Sequence, residues 1–407
     1  MKREVRHYFF LRQDKDNINN QRITRTFAPL FYRSETLKSS TALIDSSLVI
    51  TESMVQAGAD VFIGYPITPA NLLYAYGSRR YPLFLSAPDE ITTLQWMTGF
   101  AATGKLPVTA TSFPGYALML ESINMAYMME LPMVIILVQR LGPATGTATC
   151  GAQGDITLLN GMISGGFAIP VMSLADTQDC WEIPAKAMQM ASRLRTPVIL
   201  FTSKEEVMTS YSYDISRFSG ISPIRRNNWD GSGKYKSYRA NEQLIPSFLP
   251  VGNPDHQVRF TASTHDEEGN LQGTSKAGLD NSTRIHQKIL KNMAEYTYYE
   301  LDDAHDSTTL ILSFGITSRA AHEAVISLRK KGVAVSHLVP KTLLPVPPVY
   351  YEIASRYKRV IFCEENYTGQ YRQIMFGYSS PDHISGVNSF GKMIDPSEIV
   401  REVLRDE

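Results

Sequence analysis

The chain has 407 residues, 43% of them hydrophobic and 20% charged, which is the composition of an ordinary globular protein too long for one core; two or three domains are expected. Lysine plus arginine number 40 and aspartate plus glutamate number 40, so the balanced charge gives no reason to expect a nucleic acid as ligand. No apolar run reaches the roughly 18 residues that would argue for a membrane span, and the three cysteines (Cys150, Cys180, Cys363) form no CxxC pair, which argues against a disulfide framework, a structural zinc or an iron–sulfur cluster held by this chain alone and fits a reducing cytoplasm.

Residues 1–43 read as an N-terminal extension. Residues 1–40 are polar and basic, with Lys2, Arg3, Arg6, Arg12, Lys15, Arg22, Arg25 and Arg33. They lack the apolar core of a secretory signal and are expected to form a tail or an arm laid on a partner subunit.

Residues 44–209 alternate between strand and helix. "SLVITESMVQAG" is expected to be a helix stopped by Gly58. Strand "DVFI" is followed by helix "PANLLYAYGSRR", strand "LFLS" by helix "DEITTLQWMTGFAATG", and strand "PVTATS" by helix "YALMLESINMAYMME". "PMVIILV" and "TPVILFTS" complete the strands. Short, wholly apolar strands between helices predict a parallel sheet covered on both faces. Residues 210–298 turn polar and glycine-rich and read as a connecting region without continuous apolar periodicity. Within it "HDEEG" (His265–Gly269) reads as a solvated charged turn. From 299 to 407 the alternation resumes in a smaller α/β domain: "TLILSFG", "TSRAAHEAVISLRKKG", "VAVSHLV", "PVYYEIASRY" and "RVIFCEE".

In open parallel sheets, ligands gather beyond the carboxyl ends of the strands. There stand Thr68 after "DVFI", Asp89-Glu90 after "LFLS", Thr111-Ser112-Phe113-Pro114-Gly115 after "PVTA", and Gln139-Arg140 after "PMVIILV". Each also has a plain structural account. Glu90 suits a helix start through the dipole alone, Arg140 could pair with any nearby carboxylate, and Thr68 could cap the next helix. Pro66 and Pro69 each fix a φ angle and remove a donor, which stiffens the loop that displays Ile67 and Thr68. No histidine lies between His7 and His256, so the first domain cannot complete a Ser–His–Asp triad from its own residues. Nor does it hold a GxGxxG or GxxxxGK[ST] phosphate loop.

The ordered set "GYPITP", "DEITTL…GFAATG", "TATSFPG", "ELPMVIILVQRLGPATG" and "AQGD", continued by "RTPVILFTSKE", "FTASTHDEEG", "LILSFGITSRAA" and "KTLLPVP", resembles the alpha subunit of 2-oxoacid:ferredoxin oxidoreductases, the 2-oxoglutarate type most closely. The resemblance implies a thiamine diphosphate-binding (pyrimidine-type) domain followed by a transketolase C-terminal-like α/β domain. It also implies a beta subunit that carries the diphosphate and Mg²⁺ site, iron–sulfur clusters of the [4Fe–4S] type in partner subunits, coenzyme A as co-substrate and ferredoxin as electron acceptor. By the same resemblance Glu90 is the carboxylate that hydrogen-bonds the pyrimidine ring, in keeping with a first domain without a histidine base. Thr68 and Arg140 would bind the 2-oxoacid head, where a carboxylate suits the two-pronged donor of arginine. Pro66, Ser112, Pro114 and Gly115 would line the cofactor. Pyruvate or a branched-chain oxoacid is the alternative substrate, and a non-catalytic scaffold subunit the alternative role. The chain departs from the family pattern at Leu141 and Phe113, both bulkier than the glycine usual there.

Overall fold

The computed structural model describes residues 41–406. The basic stretch 1–40 lies outside the described residues.

Strand β1 (Thr41–Asp45) runs across the boundary expected at residue 43 and into helix α1 (Ser46–Ala57). Asp45 caps α1 by accepting from Leu48 N. Gly58, in the left-handed region at φ 99°, closes it by donating to Met54 O and Val55 O. Then follow β2 (Val61–Gly64), α2 (Asn71–Arg80), β3 (Leu83–Ser86), α3 (Glu90–Ala102), β4 (Pro107–Thr111), α4 (Phe113–Met128) and β5 (Met133–Gln139). These match the expected alternation to within a residue or two at each end, except that α4 begins at Phe113, three residues ahead of the expected Tyr116.

After a loop come α5 (Ile156–Gly161), β6 (Val171–Ser173), α6 (Asp179–Leu194), β7 (Pro197–Ser203), α7 (Lys204–Met208) and β8 (Ser210–Asp214), which pairs antiparallel with β1. The connecting stretch leads to α8 (Lys276–Lys291) and β9 (Tyr299–Asp302). The last part holds β10 (Thr309–Ser313), α9 (Thr317–Lys330), β11 (Ser336–Pro340), β12 (Thr342–Leu344), α10 (Pro348–Ala354), β13 (Arg359–Glu364), α11 (Gln370–Phe376), β14 (Ile384–Asn388) and α12 (Pro396–Val403).

Two mixed sheets organise these elements. The first has strand order β12-β6-β7-β5-β4-β2-β3, and every neighbouring pair is parallel except β12 with β6. Strands β5 and β7 are buried along their whole length, which explains their unbroken apolar runs. The second has order β14-β13-β10-β11-β9, parallel except for β9. Because β12 leaves the C-terminal part of the chain to pair with β6, the two sheets share a seam. No helix among the described residues is long and apolar enough to cross a membrane.

The polar connection is better built than its composition predicts. Helix α8 buries Gly278, Asn281, Ile285, Lys288 and Ile289 on one face. That face has helical spacing, but glycine, asparagine and lysine occupy three of its five positions, so apolar periodicity alone does not reveal it. Its anchor is electrostatic. Buried Glu130 pairs with Arg284 and, at 2.6 Å, with Lys288 Nζ. Lys288 also donates to Arg195 O at 3.0 Å, and Arg195 Nη1 donates to Ser247 O at 2.8 Å. The "HDEEG" turn likewise departs from expectation. Its Asp266 and Glu267 reach water, but His265 is fully buried, with Nδ1 2.7 Å from Ser263 O and its ring against Tyr238.

Burial alone would raise the carboxylate of Glu130, but Arg284, Lys288 and Arg195 outweigh it and hold the group down to about 2. A depressed acid stabilises the fold above its unfolded value of 4.5 and loses that contribution as pH falls towards 2. Glu130→Gln leaves buried cations unpaired and should cost about 3–5 kcal/mol at neutral pH. Denaturant melts should show the gap between wild type and variant closing as pH drops from 4.5 towards 2.

Candidate active site

The strand order locates the site. From β2 the chain steps outward to β3, then returns to the other side of β2 as β4 and continues to β5. The direction of winding therefore reverses between β2 and β4, and at such a point the two emerging loops diverge and leave a crevice. The loop after β2 carries Thr68, the turn after β4 carries Ser112 to Gly115, β3 leads to Glu90 and β5 ends at Arg140.

Glu90 opens α3. Asp89 caps that helix by accepting from Thr92 N at 2.7 Å, so the cap is Asp89's task and not Glu90's. The side chain of Glu90 is buried at 6% exposure and accepts no hydrogen bond among the described residues. It packs on Gly115: a Cβ there would fall 2.5 Å from Glu90 Oε1 and 2.6 Å from its Cγ, and would overlap Thr111 Oγ1. Gly115 is thus demanded by close approach, and an alanine would push the carboxylate aside. Ser112 precedes α4, fully buried, and its Oγ neither caps the helix nor meets another partner. Pro114 sits half-buried in the first turn of α4, where its missing N–H costs nothing.

Arg140 and Thr68 form the second cluster. Arg140 Nη1 donates to the main-chain carbonyl of Thr68 at 2.6 Å. The Thr68–Pro69 peptide is cis, Pro69 is buried and Pro66 lies exposed on the rim. Helix α2 takes Ala70 as its N-cap with no side-chain bond, so Thr68 does not cap it. Its hydroxyl has no partner among the described residues. Arg140 itself is 7% exposed, with Nε buried and unpartnered. Burial lowers its pKa, and the charge of Asp155 opposes that shift. No hydrogen bond among the described residues links Glu90 to the Thr68–Arg140 pair; the two clusters occupy neighbouring loops.

A cavity of about 330 Å³ adjoins them. Phe113, Leu141, Pro143, Ala144 and Asp155 line it together with Glu365, Asn366 and Gln370, which come from the loop and helix that follow β13. Its lining contains no histidine.

The residues that sequence reasoning passed over are Gln153 and Asp155, seen there only as part of the "AQGD" run. Gln153 is 1% exposed and joins the sheets. Its Nε2 donates to Phe314 O at 2.7 Å, and its Oε1 accepts from Thr317 Oγ1 at 2.8 Å and from Glu365 N at 2.9 Å. Its main chain donates to Glu365 O at 2.8 Å and accepts from Asn366 Nδ2 at 3.2 Å. A glutamine among glycines after a strand is the only local signal, and its partners lie more than 150 positions away.

Residues 52–276 match the family model for the thiamine diphosphate-binding region of pyruvate flavodoxin/ferredoxin oxidoreductases. The chain belongs to this family. The 2-oxoglutarate synthase subunit KorA of Methanocaldococcus jannaschii is 29% identical over 355 residues, 86% of this chain and 95% of that protein. The ketoisovalerate oxidoreductase subunit VorB of Methanothermobacter thermautotrophicus is 28% identical over 377 residues, 90% of this chain and 99% of that one. The structure of 2-oxoglutarate:ferredoxin oxidoreductase from Magnetococcus marinus, with 2-oxoglutarate, coenzyme A and succinyl-CoA bound, superposes with a TM-score of 0.83 at 25% identity, covering 94% of this chain and 69% of that one. A split-gene transketolase shares the fold, with a TM-score of 0.51 at 14% identity.

The matched family region is one that binds thiamine diphosphate, and the residues at the switch point can be set against that group. They fit its heteroaromatic end. Glu90 offers an unbonded carboxylate over a glycine surface, and Ser112 Oγ and Gln139 Oε1 are buried without partners.

Gln153→Leu keeps the volume and removes the interlock. Stranding the Phe314 carbonyl, the Thr317 hydroxyl and the Glu365 amide should lower stability by about 2–4 kcal/mol, read from denaturant melts. An unchanged melt would mean that the seam between the sheets does not rest on this residue.

Proposed function

We propose that this chain is the alpha subunit of a thiamine diphosphate-dependent 2-oxoacid:ferredoxin oxidoreductase, with 2-oxoglutarate as substrate. It would convert the oxoacid and coenzyme A to acyl-CoA and CO₂ and pass electrons to ferredoxin, with the same residues serving reductive carboxylation in reverse. The observation that carries this reading is the pair of incompletely bonded buried groups at one switch point, the Glu90 carboxylate over Gly115 and the Arg140 guanidinium over the Thr68 carbonyl.

In this reading Glu90 binds the pyrimidine nitrogen, Ser112, Pro114 and Gly115 form the wall against that ring, and Pro66 stands at the rim. When bound, thiamine diphosphate supplies the nucleophilic carbon for attack on a keto group and an electron sink for decarboxylation. Arg140 binds the oxoacid carboxylate, its inner Nη1 held by Thr68 O and its other donors free for the anion. The Thr68 hydroxyl, unbonded in the chain, donates to the keto or carboxylate oxygen. Two fixed donors orient the keto carbon.

The chain holds no phosphate loop and no cysteine cluster. A beta subunit therefore supplies the diphosphate and Mg²⁺ site, and partner subunits supply the [4Fe–4S] clusters. The unpaired cysteines and the lack of a membrane-spanning helix among the described residues support a cytoplasmic place. A branched-chain 2-oxoacid is the second reading, favoured by the apolar wall of Phe113, Leu141, Pro143 and Ala144 and by the likeness to the ketoisovalerate subunit.

In the assembled enzyme, Glu90→Gln should lower kcat by about 10²–10⁴-fold while assembly is kept, and Arg140→Lys should raise the oxoacid KM by about 10- to 100-fold as a fork becomes a point charge. Steady-state kinetics decide both. A fully active Glu90→Gln enzyme or an unchanged KM would move the site elsewhere.

A further inference from the structure

Asp155 has no role in the proposed cofactor and substrate contacts, yet it lines the cavity together with Leu141, next in the chain to Arg140, and its charge acts on that guanidinium. It is 8% exposed and stands at the N-cap position of α5 without capping it, and its Oδ2 is buried with no hydrogen-bond partner. Nothing about the short helix explains it. What holds it there is the Gln153 interlock two residues earlier, which fixes the run across the sheet seam.

Three titratable groups from other elements face it. Arg140 comes from the loop after β5, Tyr116 from α4, and Glu365, lining the same cavity, from the loop after β13. Burial pushes Asp155 up to about 7, with Arg140 pulling the other way. Burial, with a contribution from the charge of Glu205, brings Glu365 to about 7 as well. Tyr116 is driven well above the usual tyrosine range and stays neutral.

A carboxylate at Asp155 serves Arg140 when the site holds no anion. Once an oxoacid carboxylate lies on the same guanidinium, two anions would share one buried cation, and like charges in a dry site cannot both persist. Resting on the assignment of Arg140 to the oxoacid head, we propose that Asp155 is a further binding residue for the oxoacid: in its neutral acid form it donates from the carboxyl to the oxoacid carboxylate, so that binding takes up one proton from solvent. No bond to carbon forms or breaks in this step; one proton moves from water to Asp155.

The sign follows from linkage. Binding is strongest below the Asp155 pKa and weakens as pH rises through it. In the assembled enzyme, kcat/KM for the oxoacid should fall about tenfold per pH unit above that point, because it reports the free enzyme. The test is this profile from pH ~6 to ~9 for wild type, Asp155→Asn and Asp155→Glu, with kcat recorded separately. Asn keeps a donor that does not titrate and should flatten the slope, and Glu should restore it. A wild-type enzyme with no slope in this range overturns the proposal without any variant, and so does an Asn variant that keeps the wild-type slope. Arg140→Lys separates the two levels. If its KM is unchanged, the underlying site assignment fails; if its KM rises while Asp155→Asn titrates like wild type, only the present inference fails.

Discussion

A guanidinium buried at 7% exposure needs more partners than one carbonyl. Arg140 has the Thr68 carbonyl, a nearby Asp155, and a buried Nε without a bond. Much of the surrounding architecture answers to that charge. The Pro66–Pro69 loop presents a carbonyl to it, the last residues of β5 bring it to the carboxyl edge of the sheet, and the Gln153 interlock sets an acid across from it. The proposed role of Arg140 as the oxoacid-carboxylate site rests on this shortfall of partners.

The other half of the crevice follows a steric rule. Glu90 reaches the base of α4 only because residue 115 has no side chain. One cluster is placed by charge and the other by close packing, on loops that diverge at the same reversal of strand order. Neither cluster, among the described residues, includes a GxGxxG or GxxxxGK[ST] phosphate loop.

The strand–helix alternation of the first half was legible in the sequence, because fully buried parallel strands are continuous apolar runs and Gly58 marks its helix end without ambiguity. Family motifs pointed to Glu90, Thr68 and Arg140, and the structure sets those positions around one switch point. The geometry changed one detail: Thr68 meets Arg140 through its main chain, which no side-chain reasoning could have predicted. Three things stayed hidden for physical reasons. The three-residue strand β12 crosses to the first sheet over more than 160 positions, and a strand that short carries no periodic signal. Helix α8 buries Lys288 and Asn281 because Glu130, in a distant turn, supplies the countercharge. Gln153 looks like a polar loop residue until its partners Phe314, Thr317 and Glu365 are brought to it by the fold.

In the proposed function this chain holds half of a catalytic site. The direct measurement is thiamine diphosphate binding and oxoacid-dependent reduction of ferredoxin by the purified chain, alone and after mixing with a co-purified partner that carries a Gly-Asp-Gly diphosphate motif and cysteine clusters. The account predicts poor cofactor retention and no turnover for the chain alone, with both appearing on mixing. Robust turnover by the chain alone would contradict it.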